Sequence, residues 1–274
     1  MQYKDILLYI DDGNSNSARV EAVFALAKKH DARVTAITLA ALKPANVIIS
    51  DSGSLKDICD QCAQDRLDDF MELAQAAGIT ARSHIIYGNQ SVSARKMAQY
   101  ARNFDLVVLR QANPQRDNTP LVEEVAEQVI LLSGRPVFFM PYIGAHRIPC
   151  QKAAIAWDGT PAAARSLHDA LPLLVGLDEV MILIIEGKQK TARGELLASD
   201  LADHLKIHGV NAVVNRRTAG DFDVPTIILN EIADNDIDVL VMGGYGTPSL
   251  KQKIFGGVTR TLLSSMTVPV IMSH

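Results

Sequence analysis

Aromatic residues make up only 5% of this 274-residue chain. Any core must therefore be aliphatic, and 48% hydrophobic with 21% charged residues is an ordinary balance for a soluble globular protein. Cysteine is scarce as well. Cys59, Cys62 and Cys150 form an odd and small set, which argues against a disulfide scaffold. No apolar stretch is long enough to span a bilayer. There is no long basic run and the net charge is −4, which argues against nucleic acid or an anionic membrane as the main partner. The first residues enter a strand-like pattern at once, without the apolar centre of a secretory signal, so a cytoplasmic location is expected. Length alone allows one large or two ordinary domains.

What is present is a regular alternation. Apolar runs at Lys4–Ile10, Ala32–Leu39, His84–Tyr87, Leu106–Leu109 and Val137–Met140 read as strands. Helical spacing fills the gaps at Ala18–His30, Ser54–Ala77, Ser91–Arg102 and Leu121–Leu132. Strand–helix alternation of this kind is the signature of a parallel α/β sheet. Residues Pro141–Gln151, with two prolines and a glycine, suit a linker, and the pattern then restarts. Strands are expected at Ala153–Trp157, Val180–Ile185, Ala212–Arg216, Val239–Met242 and Val268–Met272. Helices are expected at Pro161–Val175, Glu195–His208, Pro225–Asn235 and Leu250–Ser265. Thr160 caps the first of these helices, with Pro161 in its first turn.

The halves also match in detail. Phe104-Asp-Leu-Val-Val-Leu109 parallels Ile237-Asp-Val-Leu-Val-Met242, and Arg135-Pro-Val-Phe-Phe-Met140 parallels Val268-Pro-Val-Ile-Met272. A repeat of this period means duplicated domains, expected at 1–141 and 152–274, rather than a solenoid. One difference separates them. After its fourth strand the second half has Gly243, Gly244, Gly246, Gly256 and Gly257, where the first half has Arg110-Gln-Ala-Asn-Pro-Gln-Arg-Asp-Asn-Thr-Pro120.

Glycines at a strand's C-terminal end and at a helix start put backbone N–H groups where a phosphate can sit. In an open α/β sheet, ligands bind beyond the carboxyl ends of the strands where strand order reverses. If the strands ending at Trp157 and Met242 are neighbours there, one crevice holds the Asp158 carboxylate and the amides of Gly246, Gly256, Gly257 and Val258, with the Thr259 hydroxyl. Either feature alone has a plainer reading, as turn glycines and a turn or capping aspartate. The loop is not a Walker A motif, because no Gly-Lys-Ser/Thr follows. Nor does the pattern match a dinucleotide fingerprint.

Gly243, two residues, Gly246, nine residues, Gly256, then Gly257-Val258-Thr259 resembles the ATP-binding signature of the universal stress protein family. Ala156-Trp157-Asp158-Gly159-Thr160 resembles that family's first-strand loop, and Val268-Pro-Val270 its closing strand. The resemblance covers nearly the whole chain, as a tandem form. It implies an α/β fold of two tandem doubly wound five-stranded parallel sheet domains, of the adenine nucleotide alpha hydrolase-like type, pairing through their last strands. It also implies a stress-response protein binding ATP, with or without Mg, in the second domain. Asp158 would meet ribose or a metal, with Ala156 and Trp157 lining the pocket beside it, and Ile185 the adenine. Met242, Gly243, Tyr245 and Gly246 would line ribose and phosphates, with Gly256, Gly257, Val258 and Thr259 around the phosphates. Gly257 stands where the family has Ser or Thr, and Trp157 where a small residue is usual. The first domain keeps Asp11 but not the glycines, and is expected not to bind ATP.

Hydrolysis is expected to be slow at most, since no general base or arginine finger is visible. The competing reading is a ligand-free interaction module, an internal pseudo-dimer that presents a surface to protein partners or forms a homodimer. Other candidates weigh less. His204 and His208, one helical turn apart, read as surface histidines near a helix C-terminus rather than metal ligands. Cys59 and Cys62 form a C-x-x-C inside a helix-like stretch, not at a helix start, and read as two thiols on one face. The basic loop Lys188–Arg193 reads as a solvated rim. Ser166 and His168, close together on one helix, do not suggest a nucleophile and its base.

Overall fold

A computed structural model describes residues 2–11, 16–41, 55–116, 118–143, 148–186, 192–244 and 257–274. Of the side chains within these spans, those of residues 16, 41, 55–59 and 192–198 lie outside the description. The chain divides into two compact units, residues 2–137 and 138–274.

The first unit runs β1 (Asp5–Tyr9), α1 (Asn16–His30), β2 (Arg33–Ala41), α2 (Leu55–Ala76), β3 (Ala81–Gly88), α3 (Gln90–Ala101), β4 (Leu106–Arg110) and α4 (Thr119–Ser133). Its strands lie in the order β3-β2-β1-β4, with β1 parallel to both β2 and β4. The central strands are short apolar runs, because a strand covered on both faces has no solvent side to make polar. Ile6, Leu7, Leu8, Val107 and Val108 are fully buried. Each contributes roughly 1.5–3 kcal/mol of hydrophobic stabilisation. The edge strand β3 differs: Arg82, Ser83 and His84 are exposed. Charge and polarity on an edge discourage pairing with another chain. They also hide the strand from a hydrophobicity reading, which begins it at His84 rather than Ala81.

The second unit contains β5 (Val137–Met140) from Phe138 on, then β6 (Lys152–Ala156), α5 (Pro161–Leu174), β7 (Glu179–Glu186), α6 (Ala192–Ile207), β8 (Ala212–Thr218), α7 (Val224–Asp234), β9 (Val239–Gly243), α8 (Gly257–Ser265) and β10 (Val270–Ser273). Its strand order is β5-β10-β9-β6-β7-β8. From β6 the chain winds outward through β7 and β8, then crosses to β9 and β10 on the other side, all in parallel. This is double winding, with its reversal between β6 and β9. The helix expected from Leu250 begins, among the described residues, at Gly257; residues 250–256 lie outside them.

The duplication extends to the hydrogen bonds. Asp105, just before β4, accepts from the backbone N–H of Lys4 at 2.7 Å and of Asp5 at 3.0 Å. Asp238, just before β9, accepts from Gln151 at 2.8 Å and Lys152 at 3.0 Å. In each unit one carboxylate clamps the start of the first strand to the start of the fourth.

Candidate functional site

The site begins with a strand register. β6 and β9 are neighbours, with Ala156 opposite Met242, so both strands end at the same level of the sheet. Trp157 continues from β6, its N–H donating to the Leu183 carbonyl of β7 at 2.9 Å. The chain then turns. Asp158 accepts on Oδ1 from the Thr160 N–H at 3.0 Å and the Thr160 hydroxyl at 2.7 Å, and Gly159 takes φ 74°. Thr160 in turn accepts from the Ala163 N–H at 3.2 Å, which caps α5 as expected. Asp158 is exposed and lies at the mouth of the reversal point. Its turn-forming role is thus directly visible, and it leaves the carboxylate facing solvent.

Gly243 has a packing reason of its own. A Cβ built there would stand 2.6 Å from the Ala163 nitrogen and 2.8 Å from the Ala162 carbonyl carbon. The first turn of α5 therefore lies directly against the end of β9, a closeness only glycine permits. Ser166 on α5 reinforces it, donating to the Met242 carbonyl at 2.6 Å and accepting from the Ser273 N–H at 3.0 Å. Ser273 also donates to Asp169 at 2.7 Å. These bonds tie α5, β9 and β10 together behind the crevice.

Among the remaining candidates, Ala156, Trp157 and Ile185 are half-buried, Met242 and Thr259 are buried, and Gly257 and Val258 are exposed. Gly257, Val258 and Thr259 form the first turn of α8, whose amides lack acceptors within the helix. A Cβ on Gly257 would meet no atom of the described residues within 4 Å. Tyr245, Gly246 and Gly256 lie outside the described residues, as do Lys188–Lys190 and Thr191 of the basic loop.

The equivalent place in the first unit is built differently. Asp11 follows β1 as Asp158 follows β6, but it is 4% exposed. Arg19 of α1 donates to its Oδ1 at 3.0 Å, and Arg110 at the end of β4 donates to its Oδ2. Arg110 also donates to Asn118 Oδ1 at 2.7 Å and to the Gln111 carbonyl at 3.1 Å. Asn118 completes the group by donating to Asp11 at 3.4 Å. Burial by itself would raise the Asp11 carboxyl, but the charges and hydrogen bonds of Arg19 and Arg110 outweigh it and hold the group below the usual carboxylate range. By the repeat, Arg110 stands at the position of Gly243. The residues facing Asp11 were not anticipated from the sequence, although the absence of glycine after β4 was the signal for them.

His204 also departs from the sequence reading. It is half-buried rather than a free surface group, and both it and His208 pack against His168 of α5. In the C-x-x-C pair, Cys62 is exposed on α2, while the Cys59 side chain lies outside the description.

Strand order and helix placement define a doubly wound α/β protein of the adenine nucleotide alpha hydrolase-like fold. Residues 151–274 match the model of the universal stress protein family. The chain is also similar in fold to a universal stress protein from Archaeoglobus fulgidus, at 18% identity and a TM-score of 0.76, covering 98% of this chain and 95% of that one. Similar folds occur in a functionally unknown protein, PA1789, from Pseudomonas aeruginosa PAO1, and in a putative universal stress protein from Pseudomonas aeruginosa UCBPP-PA14. Each is 12% identical and spans 99% of this chain; the TM-scores are 0.62 and 0.59, with 92% and 93% of those chains covered. No curated protein matches the sequence. Among the described residues no helix is long and apolar enough to cross a membrane.

Proposed function

We propose that the second unit binds ATP as a regulatory ligand in a stress-response protein, at the crevice between the ends of β6 and β9. One observation carries this reading: the register of β6 against β9 brings the solvent-facing Asp158 and the glycine-rich end of β9 to one place in the sheet. The family match over residues 151–274 supports it. Asp158 suits a ribose hydroxyl or the water shell of a phosphate-bound magnesium ion, since a carboxylate accepts both. Ala156, Trp157, Ile185 and Met242 supply apolar surface for base and sugar. The amides of Gly257 and Val258, at the positive end of α8, suit phosphate oxygens, as would those of Gly246 and Gly256 earlier in the sequence. Tyr245, Gly243 and Thr259 complete the lining. ATP itself would bring the phosphates and any Mg; the chain contributes the cradle.

The reading includes a stoichiometry of one ATP per chain, because Arg19 and Arg110 already hold the Asp11 carboxylate in the first unit. Trp157 is the chain's sole tryptophan and lies beside Asp158, so its fluorescence reports on this crevice directly. Titration with ATP and magnesium is expected to change that fluorescence saturably, and Gly246→Val is expected to abolish the change. No response at millimolar ATP, or an unaltered response in Gly246→Val, would overturn the proposal. Gly257→Ser is expected to bind ATP several-fold more tightly, by roughly 1 kcal/mol, because the added hydroxyl meets none of the described residues and can donate to a phosphate oxygen.

A further inference from the structure

Three histidines meet on the second unit, away from the crevice. His168 lies on α5, His204 near the end of α6, and His208 just beyond that helix. The ring centres of His204 and His208 are 4.7 Å apart, those of His168 and His204 5.3 Å, and those of His168 and His208 6.4 Å. All three pairs stand edge to face, at 64–89°. His204 Nε2 is buried and has no hydrogen-bond partner among the described residues. A buried ring nitrogen without a partner carries a desolvation cost that hydrogen bonding or coordination would relieve.

We propose that His168, His204 and His208 form a binding site for a divalent transition ion, with Zn²⁺ as the ion tested, that fastens α5 to α6. Three imidazole nitrogens around a tetrahedral ion at about 2.0 Å place their ring centres about 5 Å apart. Two of the three observed spacings lie close to that value. The third separates His168 and His208, which are both exposed and therefore have room to turn. As the rings stand they do not converge, and among the described residues no group of three ligands is already arranged around a common point. Coordination thus requires rotation of the two exposed rings toward His204. A set made only of imidazoles favours Zn²⁺, Cu²⁺ or Ni²⁺ over Mg²⁺ or Ca²⁺, which take oxygen ligands. Three protein ligands leave the fourth tetrahedral position to water. His204 and His208 alone, one turn apart on a single segment, would give a weaker two-ligand site, and His168 is what joins the two helices.

Zinc binding is measured on the full chain carrying Cys59→Ser and Cys62→Ser, by competition with a chromogenic chelator. We expect one Zn²⁺ per chain, a rise in melting temperature with zinc, and no displacement by excess Mg²⁺. His168→Gln is expected to weaken binding roughly tenfold or more, since loss of even an outer-shell partner costs 10–100-fold. Its melting temperature without metal should change little, because His168 is exposed. Cobalt provides the second readout: a four-coordinate visible spectrum is expected in the parent and not in His168→Gln. Failure to bind zinc at micromolar concentrations would overturn the proposal. Binding that is equally strong in His168→Gln would do the same, because the ion would then sit elsewhere. The proposal is independent of the nucleotide reading, since Gly246→Val should retain its zinc.

Discussion

Asp11 and Asp158 occupy the same place in the two units and live in opposite surroundings. Asp11 is buried between Arg19 and Arg110, while Asp158 faces solvent and holds only the turn that starts α5. The residue at the end of the fourth strand accounts for the contrast. Arg110 supplies a guanidinium that reaches back to Asp11, and Gly243 supplies no side chain at all. Ser166, the same distance beyond Asp158 as Arg19 is beyond Asp11, bonds to backbone and leaves Asp158 alone. One frame thus carries two outcomes, a closed ionic cluster in the first unit and an open carboxylate in the second. A duplicated fold tolerates this because the sheet is held by apolar burial, not by the residues at the strand ends.

The strongest way to break the contrast is to open the first unit. Arg110→Ala removes one of the two guanidiniums that hold the buried Asp11, leaves Arg19 as its charge partner, and is expected to cost about 2–3 kcal/mol. Denaturant unfolding of the full chain measures it, and Asp11→Asn in the same background should deepen the loss, because it removes the carboxylate that the buried Arg19 holds. If Arg110→Ala changes stability by less than about 1 kcal/mol, the cluster is not the structural element described here.

Acid sharpens the contrast next. His30 in the first unit is 3% exposed, and burial, with smaller effects from Lys29 and Lys4, lowers its pKa to about 4. The unfolded chain then binds more protons than the folded one between about pH 6.5 and pH 4. This contribution is therefore complete above pH 6.5 and is lost as pH falls toward 4, by roughly 3 kcal/mol. His30→Leu is expected to flatten the stability–pH curve across that window relative to the parent. His204 in the second unit is lowered as well, by burial and then by His208 and His168, but it is only half-buried. His204→Gln should change the curve in the same direction and by less.

A further break is Gly243→Ala, whose Cβ would meet the backbone of Ala163 at 2.6 Å and of Ala162 at 2.8 Å, so that α5 or the end of β9 must move to admit it. A loss of about 1–3 kcal/mol is expected in thermal or urea unfolding. A neutral result would mean that the helix does not need to sit so close. Arg110→Gly, at the corresponding position of the first unit, relieves no such contact and acts through the bonds that Arg110 makes to Asp11, Asn118 and Gln111.

Much of the fold was legible in the residues because it depends on local pattern. Aliphatic runs bounded by glycine, proline and aspartate mark the buried strands, and the Thr160-Pro161 pair marks where α5 begins. The restart after Gln151 follows from the same periodicity. Edge strand β3 was read too short, since Arg82, Ser83 and His84 carry no apolar signal. At the site, the sequence supplied Asp158 and the glycines as a conditional pair, dependent on β6 and β9 being neighbours. Only the strand order met that condition.

By itself, then, the sequence determined the alternating elements, the duplication and the absence of glycine after β4, because these are matters of composition and spacing along one chain. The tertiary structure decided what the strand ends face. Arg110 and Asp11 are 99 positions apart, and His168 lies far in sequence from His204 and His208. Such contacts arise only when crossover connections bring distant strand ends and helix faces together, and no periodicity within a segment encodes which side chain will meet which. Gly243 shows both sides of this division. Its identity pointed to a loop, and its need to be glycine came from the backbone of α5 pressed against it.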